Sequence, residues 1–287
     1  NFTSGGVFGH SNVVHIVEEP EVAKAYLSYW EAMKANPRKR DLAPVLEGAC
    51  VIPAAGTRPP EGTSLVFSPR STSDALEFYR DLAASAEEGL FMTFAFGMHP
   101  LFKEVYRDGK TPLRYALMEK LLGPGQRTEE QEREAREEMQ QLRNMDENRF
   151  AVGGRIALNE LDGWVLEKNT GLNKHVNYIH TKYLLVDPLG RDPIVVTGSA
   201  NFSEASSTKN DENMMVIRGN ERVAHIYLGE FMRLWDHYAF REFVNRPRPT
   251  GPPVVRYLDS GDDPENPWWK KHFDKVDLSR RREYFSR

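Results

Sequence analysis

The chain has 287 residues, of which 38 are Lys or Arg and 42 are Asp or Glu, and hydrophobic residues make up 40%. This composition suits one large or two ordinary folded domains and excludes a disordered or low-complexity chain. The formal net charge of -4 argues against a protein that mainly holds duplex nucleic acid, because such binding needs many Lys and Arg side chains facing phosphates. No stable nucleic-acid partner is therefore expected. Cys50 is the only cysteine, which excludes an intrachain disulfide and a cysteine metal cluster.

No stretch approaches the roughly 18 consecutive apolar residues that a membrane helix needs, so no transmembrane segment is predicted. The N-terminus lacks both a signal-peptide pattern and an initiator Met. We therefore expect that the visible start is not the start of the gene product. The residues assign no compartment, and secretion stays open.

The predicted elements alternate between strands and helices. A loop leads into a strand within residues 1–17, and a helix then runs from Pro20 to the Asn36-Pro37 pair. Five prolines within 35–62 indicate a connector. Further strands are predicted at 65–67, 90–96, 155–158, 183–186, 194–197 and 214–217. Further helices are predicted at 71–88, partly at 102–122, at 128–148 with a capping box, and at 221–237. This order indicates a layered α/β fold.

The first thirty residues recur near the end of the chain. Residues 1–4 align with residues 201–204, and one extra residue at Asn210 extends the alignment to residues 26–27 on 227–228. Both copies have the order loop, strand, helix, and their core positions stay in phase. Two similar lobes explain this pattern, and the first lobe begins here only at its Asn-Phe pair.

The stretch that precedes Asn201 is the most informative part of the chain. His180 and Lys182 are two residues apart, so a strand through them would direct both side chains to one face. A second strand delivers Ser199 and Asn201 at its end, where Gly198 permits a tight turn. An imidazole, a fixed cation, and amide and hydroxyl donors that face one point suit a phosphoryl group.

The order His-x-Lys, four residues, Asp, and then Gly-Ser-x-Asn, with Glu212 eleven residues after Asn201, resembles the phospholipase D superfamily. The motif is specific because six positions are fixed in order. The resemblance extends over the whole chain, including residues 67–70 and 95–97, and looks closest to bacterial two-lobe members. It implies an α/β/α sandwich with a mixed central sheet and two pseudo-repeated lobes, of which the first is incomplete here.

The resemblance also implies a mechanism. Two such motifs meet in one active site; one histidine attacks phosphorus and becomes a phosphohistidine, and the other protonates the leaving group and then activates water. On this basis His180 is one of the two catalytic histidines, with general acid–base catalysis the expected role and nucleophilic attack the alternative. Lys182 and Asn201, supported by Ser199, would bind phosphate, and Glu212 would orient His180.

The remaining site predictions concern the first lobe and the residues of the motif that are expected to have structural roles. Asn1 would bind phosphate from the first lobe, whose His-x-Lys would lie upstream in a separate chain, a cleaved fragment or residues outside this sequence. Ser11 stands where the repeat places Glu212, so another group would orient the first lobe's histidine. Asp187 is five residues past Lys182, an odd offset along a strand, and we expect it, like Gly198, to support structure.

No metal and no cofactor are predicted. His175 and His180 are five residues apart, a spacing that matches no common ligand pair. The predicted reaction is hydrolysis of a phospholipid head-group ester, in which an alcohol could replace water. The alternatives are a nuclease or other phosphodiesterase of the same superfamily, a half-site chain inactive without its upstream partner, and a homodimer that shares two copies of His180.

These patterns divide the chain into four parts. Residues 1–34 are predicted to end the first lobe, and residues 35–62 to connect it to the second. Residues 63–245 would form the second, catalytic lobe. Residues 246–287 would be a tail that wraps the surface.

Overall fold

The computed structural model describes residues 3–156, 167–168, 171–172, 176–246 and 267–286. The strands are β1 (Gly62–Phe67), β2 (Leu90–Phe94), β3 (Arg114–Met118), β4 (Asn148–Val152), β5 (Tyr183–Val186), β6 (Ile194–Gly198) and β7 (Asn213–Arg218). The helices are α1 (Ser4–Phe8), α2 (Pro20–Lys34), α3 (Lys39–Ala49), α4 (Asp74–Ala84), α5 (Pro100–Asp108), α6 (Glu129–Arg143), α7 (Glu204–Thr208), α8 (Glu221–Val244), α9 (Lys271–Asp274) and α10 (Val276–Phe285).

The strands form one mixed sheet in the order β1-β7-β6-β5-β2-β3-β4. Only the β2–β3 and β3–β4 pairs are parallel. Tyr183 at the start of β5 pairs with Thr197, and Gly198 at the end of β6 pairs with Met214 near the start of β7. The starts of β5 and β7 and the ends of β2, β3 and β6 therefore lie at one edge of the sheet, called here the site edge.

Alternating side chains of the buried strands face two hydrophobic layers. Leu90, Met92 and Phe94 of β2 pack with α4, α5 and α6 on one face. Phe91 packs with α8 and with Tyr284 of α10 on the other face. Helices therefore cover both faces, and the predicted α/β/α sandwich with a mixed central sheet is confirmed.

Helices α2 and α3 form a third cluster at the β1 side of the sheet. The ring of Tyr29 stacks on Phe67 with centroids 4.3 Å apart. Its hydroxyl donates to the carbonyl of Ser68 at 2.8 Å and to that of Glu212 at 3.2 Å. This helix pair thereby fixes the backbone that leads into β7.

Two predicted segments differ from the structure in the first half of the chain. The segment predicted as a connector contains α3, with Pro44 inside the helix. The segment 102–122, predicted as partly helical, contains α5 and then β3. All five residues of β3 are buried, and a short apolar run of this kind does not distinguish a buried strand from a buried helix.

Three further differences concern strands or the residues beside them. The capping box of Thr128 and Gln131 begins α6 as predicted, but the helix ends at Arg143, and β4 begins at Asn148. Residues 155–156 are not in a strand, and the rest of the strand predicted there lies outside the described residues. Residues 13–17 belong to no strand of the sheet, and Val14 is 85% exposed, since no neighbouring strand covers it.

The predicted tail contributes α9 and α10 within residues 267–286. Its α10 packs on the sheet through Tyr284, whose exposed fraction is 3%. None of the described helices has the length and the apolar character needed to cross a membrane.

Candidate active site

A cavity of about 580 Å³, called here the large cavity, opens at the site edge. It lies within the range of ~300–1,000 Å³ that is usual for ligand sites. Six of the residues predicted from sequence line it, namely His180, Lys182, Gly198, Ser199, Asn201 and Glu212. Asn1 lies outside the described residues. Most of the predicted constellation therefore converges on one space.

Thr93 of β2 holds the backbone between the two basic side chains. Its hydroxyl donates to the carbonyl of Thr181 at 2.6 Å and accepts the N–H of Tyr183 at 2.9 Å. These side-chain bonds continue the β2–β5 pairing beyond the end of its backbone ladder. His180 and Lys182 precede β5 rather than lying within it, yet both face the large cavity.

Glu119, directly after β3, holds the loop that leads to His180. Its carboxylate accepts the N–H groups of Asn177, Tyr178 and Ile179 at 2.7 to 3.0 Å, and its exposed fraction is 2%. Burial raises the pKa of this carboxyl, against the effect of the three N–H donors. Charge-assisted bonds to backbone N–H groups are strong, so Glu119 fixes the path of the chain into the site.

The first copy of the repeat contacts His180 directly. Ser11 forms a β-bridge with Ile179, and its hydroxyl accepts the N–H of His180 at 3.2 Å. The Oδ1 of Asn12 lies 3.2 Å from the Nδ1 of His180. The two sequence copies thus meet at the imidazole.

The amide of Asn12 has a defined orientation. Its Nδ2 lies 2.6 Å from the carbonyl oxygen of Gly6, which can only accept a hydrogen bond. The Oδ1 therefore faces His180 and accepts from the Nδ1–H of the ring. In the neutral ring this leaves the lone pair on Nε2.

Glu212 does not make the contact predicted for it. The Nδ1 of His180 is bonded to Asn12, while the Glu212 Oε1 accepts from Asn210 at 3.3 Å. The two copies of the repeat occupy different positions in the fold. Asn12 of the first copy contacts His180, whereas Glu212 of the second copy lies directly before β7. Glu212 still lines the large cavity, and its charge acts on Lys182.

His180 is neutral near pH 7. Burial, the charge of Lys182 and the nearby ring of His10 lower its pKa from 6.5 to about 3. The His10 and His180 ring centroids are 4.6 Å apart. A neutral imidazole with a fixed tautomer is suited to attack an electrophile or to accept a proton.

Lys182 is 6% exposed, and burial lowers its pKa from 10.5 to about 8, against the opposing effect of Glu212. Its Nζ donates to the carbonyl of His180 at 2.6 Å. The ammonium group therefore retains its charge at neutral pH, in a place where little water screens it. Such a buried cation interacts strongly with an anionic group.

The turn after β6 is closely packed. A Cβ at Gly198 would lie 2.1 Å from the carbonyl oxygen of Asn213, so only glycine fits there. The Ser199 hydroxyl accepts the N–H of Asn213 at 3.0 Å, so it is bonded within the protein in addition to lining the cavity. The Oδ1 of Asn201 is buried and has no hydrogen-bond partner among the described residues.

Asp187 lies at the other end of β5, away from the large cavity. Its carboxylate accepts the N–H groups of Glu87, Glu88 and Gly89 at 2.7 to 3.2 Å. Its φ of 47° is in the left-handed region. These contacts join β5 to the turn before β2, which is a structural arrangement.

Sequence reasoning missed Asn12, Thr93 and Glu119 as site residues. The repeat alignment offered a signal for Asn12, because it places Ser11 and Asn12 on Glu212 and Asn213. Thr93 and Glu119 gave no comparable signal, since their partners are backbone groups 88 and 58 or more residues away.

Among the described residues, no three His, Cys, Asp or Glu side chains form a group that could hold a metal ion. His175 lies outside them. The described lining of the large cavity has one fixed cation, Lys182, and one carboxylate, Glu212. With neutral imidazole and amide groups beside them, this set suits a single phosphoryl group.

Comparisons with solved structures give distant matches. Nuc of Salmonella typhimurium, a phospholipase D family member, is 17% identical with a TM-score of 0.42, and the match covers 61% of this chain and 93% of Nuc. NucT from Helicobacter pylori is 15% identical with a TM-score of 0.42, covering 61% and 95%. Phosphatidylserine synthase of Haemophilus influenzae is 11% identical with a TM-score of 0.45, covering 77% and 54%.

Sequence comparison is more specific. A comparison with curated proteins gives no match. The profile of the family described as "Cardiolipin synthase, PLD-like domain" matches residues 134–235. This range contains the whole His-x-Lys and Gly-Ser-x-Asn motif together with Glu212. This part of the chain is therefore similar to a PLD-like domain, which agrees with the resemblance of its motif to the phospholipase D superfamily.

Proposed function

We propose that this chain supplies a catalytic half-site for metal-independent hydrolysis of a phospholipid head-group ester. The observation that carries the proposal is the convergence of neutral His180, charged Lys182 and Asn201 on one cavity. Lys182 and Asn201 would bind the phosphate oxygens, with Ser199 holding the turn beside them. Asn1 would bind phosphate as well, from the first lobe.

The proposed reaction has two steps. A histidine nitrogen forms a bond to phosphorus while the bond from phosphorus to the leaving oxygen breaks, and the other histidine donates the proton that this oxygen takes up. Water then transfers a proton to that second histidine, its oxygen bonds to phosphorus, and the N–P bond breaks. An alcohol in place of water would give transphosphatidylation.

The resemblance gives His180 the acid–base role. Its neutral ring can accept a proton from water, and an anionic phosphodiester beside it would raise its pKa toward the value a proton donor needs. The alternative, in which His180 is the nucleophile, is tested by quenching the reaction rapidly without acid and searching for phosphohistidine by mass spectrometry. A phosphohistidine on His180 would assign it the nucleophilic role instead.

Lipid is favoured over nucleic acid by the lining of the large cavity. Val7, Val13 and Val14 contribute apolar surface to it, and Val7 and Val14 are more than half exposed. A nucleic-acid groove would require several cations along successive phosphates, whereas Lys182 is the one fixed cation among the described lining residues. These features fit a single phosphodiester attached to an apolar group.

We further propose that a partner segment carrying the first His-x-Lys motif completes the site. Ile16, which the repeat aligns with Ile217 of β7, is 89% exposed, and Val14 is similarly uncovered. In β7 the corresponding residues pair with β1 and β6. The first copy therefore offers a segment that lies outside the sheet and beside the proposed catalytic histidine.

The test is head-group release from mixed phospholipid vesicles by the purified protein, with intact-mass analysis of every chain in the sample. His180→Ala should abolish release, whereas His225→Ala, at an exposed position on α8, should not change it. Release that persists in His180→Ala would overturn the proposal. Cleavage of single-stranded DNA but not of lipid would support the nuclease alternative.

A further inference from the structure

A second cavity of about 170 Å³, called here the small cavity, adjoins the catalytic one. Lys182 and Asn201 line both cavities. The small cavity is also lined by residues 93–99, by Gly123, Pro124 and Arg127, and by Phe202 and Ser203. A group bound to Lys182 and Asn201 therefore has access to both spaces.

The small cavity occupies a favourable position in the sheet. It lies beyond the carboxyl ends of β2 and β3, which are parallel, whereas β5 on the other side of β2 is antiparallel. In open α/β sheets ligands bind at such carboxyl ends, where the strand order changes direction. The two loops meet tightly, because a Cβ on Gly97 would lie 2.4 Å from the Gly123 nitrogen.

The lining of the small cavity is rich in donors and positive in charge. The exposed guanidinium of Arg127 is held by one bond to the carbonyl of Gly123 at 3.0 Å, and no described carboxylate pairs with it. The Nδ1 of His99 accepts the N–H of Leu101 at 3.3 Å, which leaves Nε2–H as a donor in the neutral ring. Lys182 adds the second cation, and no described lining residue is acidic.

The two cavities differ in size and lining, and these differences indicate which substituent of a phosphodiester each cavity would hold. The large cavity has more than three times the volume of the small one, and exposed valines contribute to its lining. The diacylglycerol side of a phospholipid is large and apolar, whereas its head group is small and polar. The small cavity fits only the latter.

We infer that the small cavity is the head-group subsite and that Arg127 selects hydroxylated or anionic head groups over quaternary ammonium groups. This inference rests on the proposed function, because it assumes a phosphodiester at Lys182 and Asn201. Hydroxyl and anionic oxygens accept from the Arg127 and His99 donors. A trimethylammonium group has no acceptor and carries the same charge as Arg127 and Lys182. The lining also contains Phe94, Phe96 and Phe202, whose rings attract such a cation. Of these three only Phe96 is substantially exposed, and two nearby charges oppose the cation.

The test measures binding without turnover. His180→Ala protein is titrated with dihexanoylphosphatidylglycerol and dihexanoylphosphatidylcholine below their micelle concentrations. These lipids share the phosphate and the acyl chains and differ only in the head group. We expect at least tenfold tighter binding of the glycerol lipid, a ratio that Arg127→Glu removes or reverses and that Arg127→Lys retains.

The matched control is Arg222→Glu, an exposed arginine in the first turn of α8, beyond the opposite end of β7. It should leave the ratio unchanged. Equal binding of the two lipids, or a ratio that Arg127→Glu leaves intact, overturns the subsite. An equal effect of Arg222→Glu also overturns it, since general surface charge would then explain the preference.

Failure of the proposed function gives a different result. If the wild-type protein, with every chain it requires, hydrolyses neither lipid but the binding ratio depends on Arg127, the hydrolysis proposal fails and the subsite stands. If both lipids are hydrolysed equally well and bind equally, the reaction stands and the subsite fails.

Discussion

Residues 3–34 and 203–244 have the same sequence pattern but only part of the same structure. In both copies a hydroxyl residue, Thr3 or Ser203, caps a five-residue helix, and a long helix begins 17 or 18 residues later, at Pro20 or Glu221. Between these helices the second copy forms β7, whereas the first copy stays unpaired after Ser11.

The comparison separates local from tertiary causes. A helix cap satisfies backbone N–H groups within a few residues, so it forms wherever its sequence occurs. A strand needs neighbours to satisfy its backbone groups, and only the second copy has β1 and β6 beside it. The corresponding segment of the first copy is not part of the sheet, and its Ser11 and Asn12 contact His180 instead. The same sequence pattern thus has two outcomes: the second copy forms a strand of the sheet, and the first copy orients the ring of His180.

The largest expected effect distinguishes the two asparagines that the repeat aligns. Asn12→Ala should lower kcat about 100-fold, because loss of a group that orients a reactive ring typically costs ~10–100-fold. Asn213→Ala, which loses bonds to Ser199 and Tyr26, should mainly lower stability. Steady-state kinetics and urea unfolding of both variants provide the measurement. Equal losses of kcat would contradict the division of roles.

Asn12→Asp sharpens the same comparison. A carboxylate at the Nδ1 of His180 favours the imidazolium form, so the pKa of His180 should rise from about 3. The ¹⁵N chemical shifts of the labelled ring measure the pKa without requiring turnover. An unchanged titration would show that Asn12 does not contact the ring in solution.

The pH dependence of kcat/KM tests the cation supplied by the second copy. His180 remains neutral above its pKa of about 3, and Lys182 remains charged below its pKa of about 8. Because His180 does not titrate near pH 8, a fall in activity of about tenfold per pH unit above pH 8 should report the loss of the Lys182 proton. Lys182→Arg should remove the alkaline fall. A fall that persists in this variant would assign the limb to another group.

Glu119 supports the loop where the first copy meets the second. Glu119→Gln should lower the free energy of unfolding by about 1–3 kcal/mol, because one amide oxygen cannot replace two carboxylate oxygens that accept three N–H groups. Urea unfolding measures the loss. Glu134→Gln, on the exposed face of α6, should change stability by less than about 0.5 kcal/mol. Equal effects would mean that the buried bonds contribute little.

The smallest effect concerns the two caps. Thr3→Ala and Ser203→Ala should each cost about 1 kcal/mol, since each removes an acceptor for an N–H group in the first helical turn. Because the first copy lacks sheet neighbours, we expect the loss of the Thr3 cap to appear as faster amide exchange in α1 only. The loss of the Ser203 cap in the second copy should lower the free energy of unfolding of the whole protein. Hydrogen exchange combined with urea unfolding distinguishes these outcomes, and a global effect of Thr3→Ala would contradict the comparison.

The sequence alone determined the features that depend on nearby residues. Helical spacing predicted α2 and α8, the Thr128–Gln131 pair predicted the start of α6, and short apolar runs predicted β5 and β6. The spacing of His180, Lys182, Ser199 and Asn201 predicted which side chains would face one cavity, since these residues lie next to two adjacent strands.

Only the tertiary structure decided the features that depend on distant contacts. It placed β3 within a segment whose apolar pattern also fits a helix, and it left residues 13–17 without a sheet neighbour. It brought Asn12, rather than Glu212, to a ring 168 residues away, and placed Glu119 under the loop before it. These contacts join backbone or amide groups across the fold, and no local spacing encodes them. The chemistry of the motif can therefore be read from sequence, whereas the groups that orient it follow from how the sheet and its loops assemble.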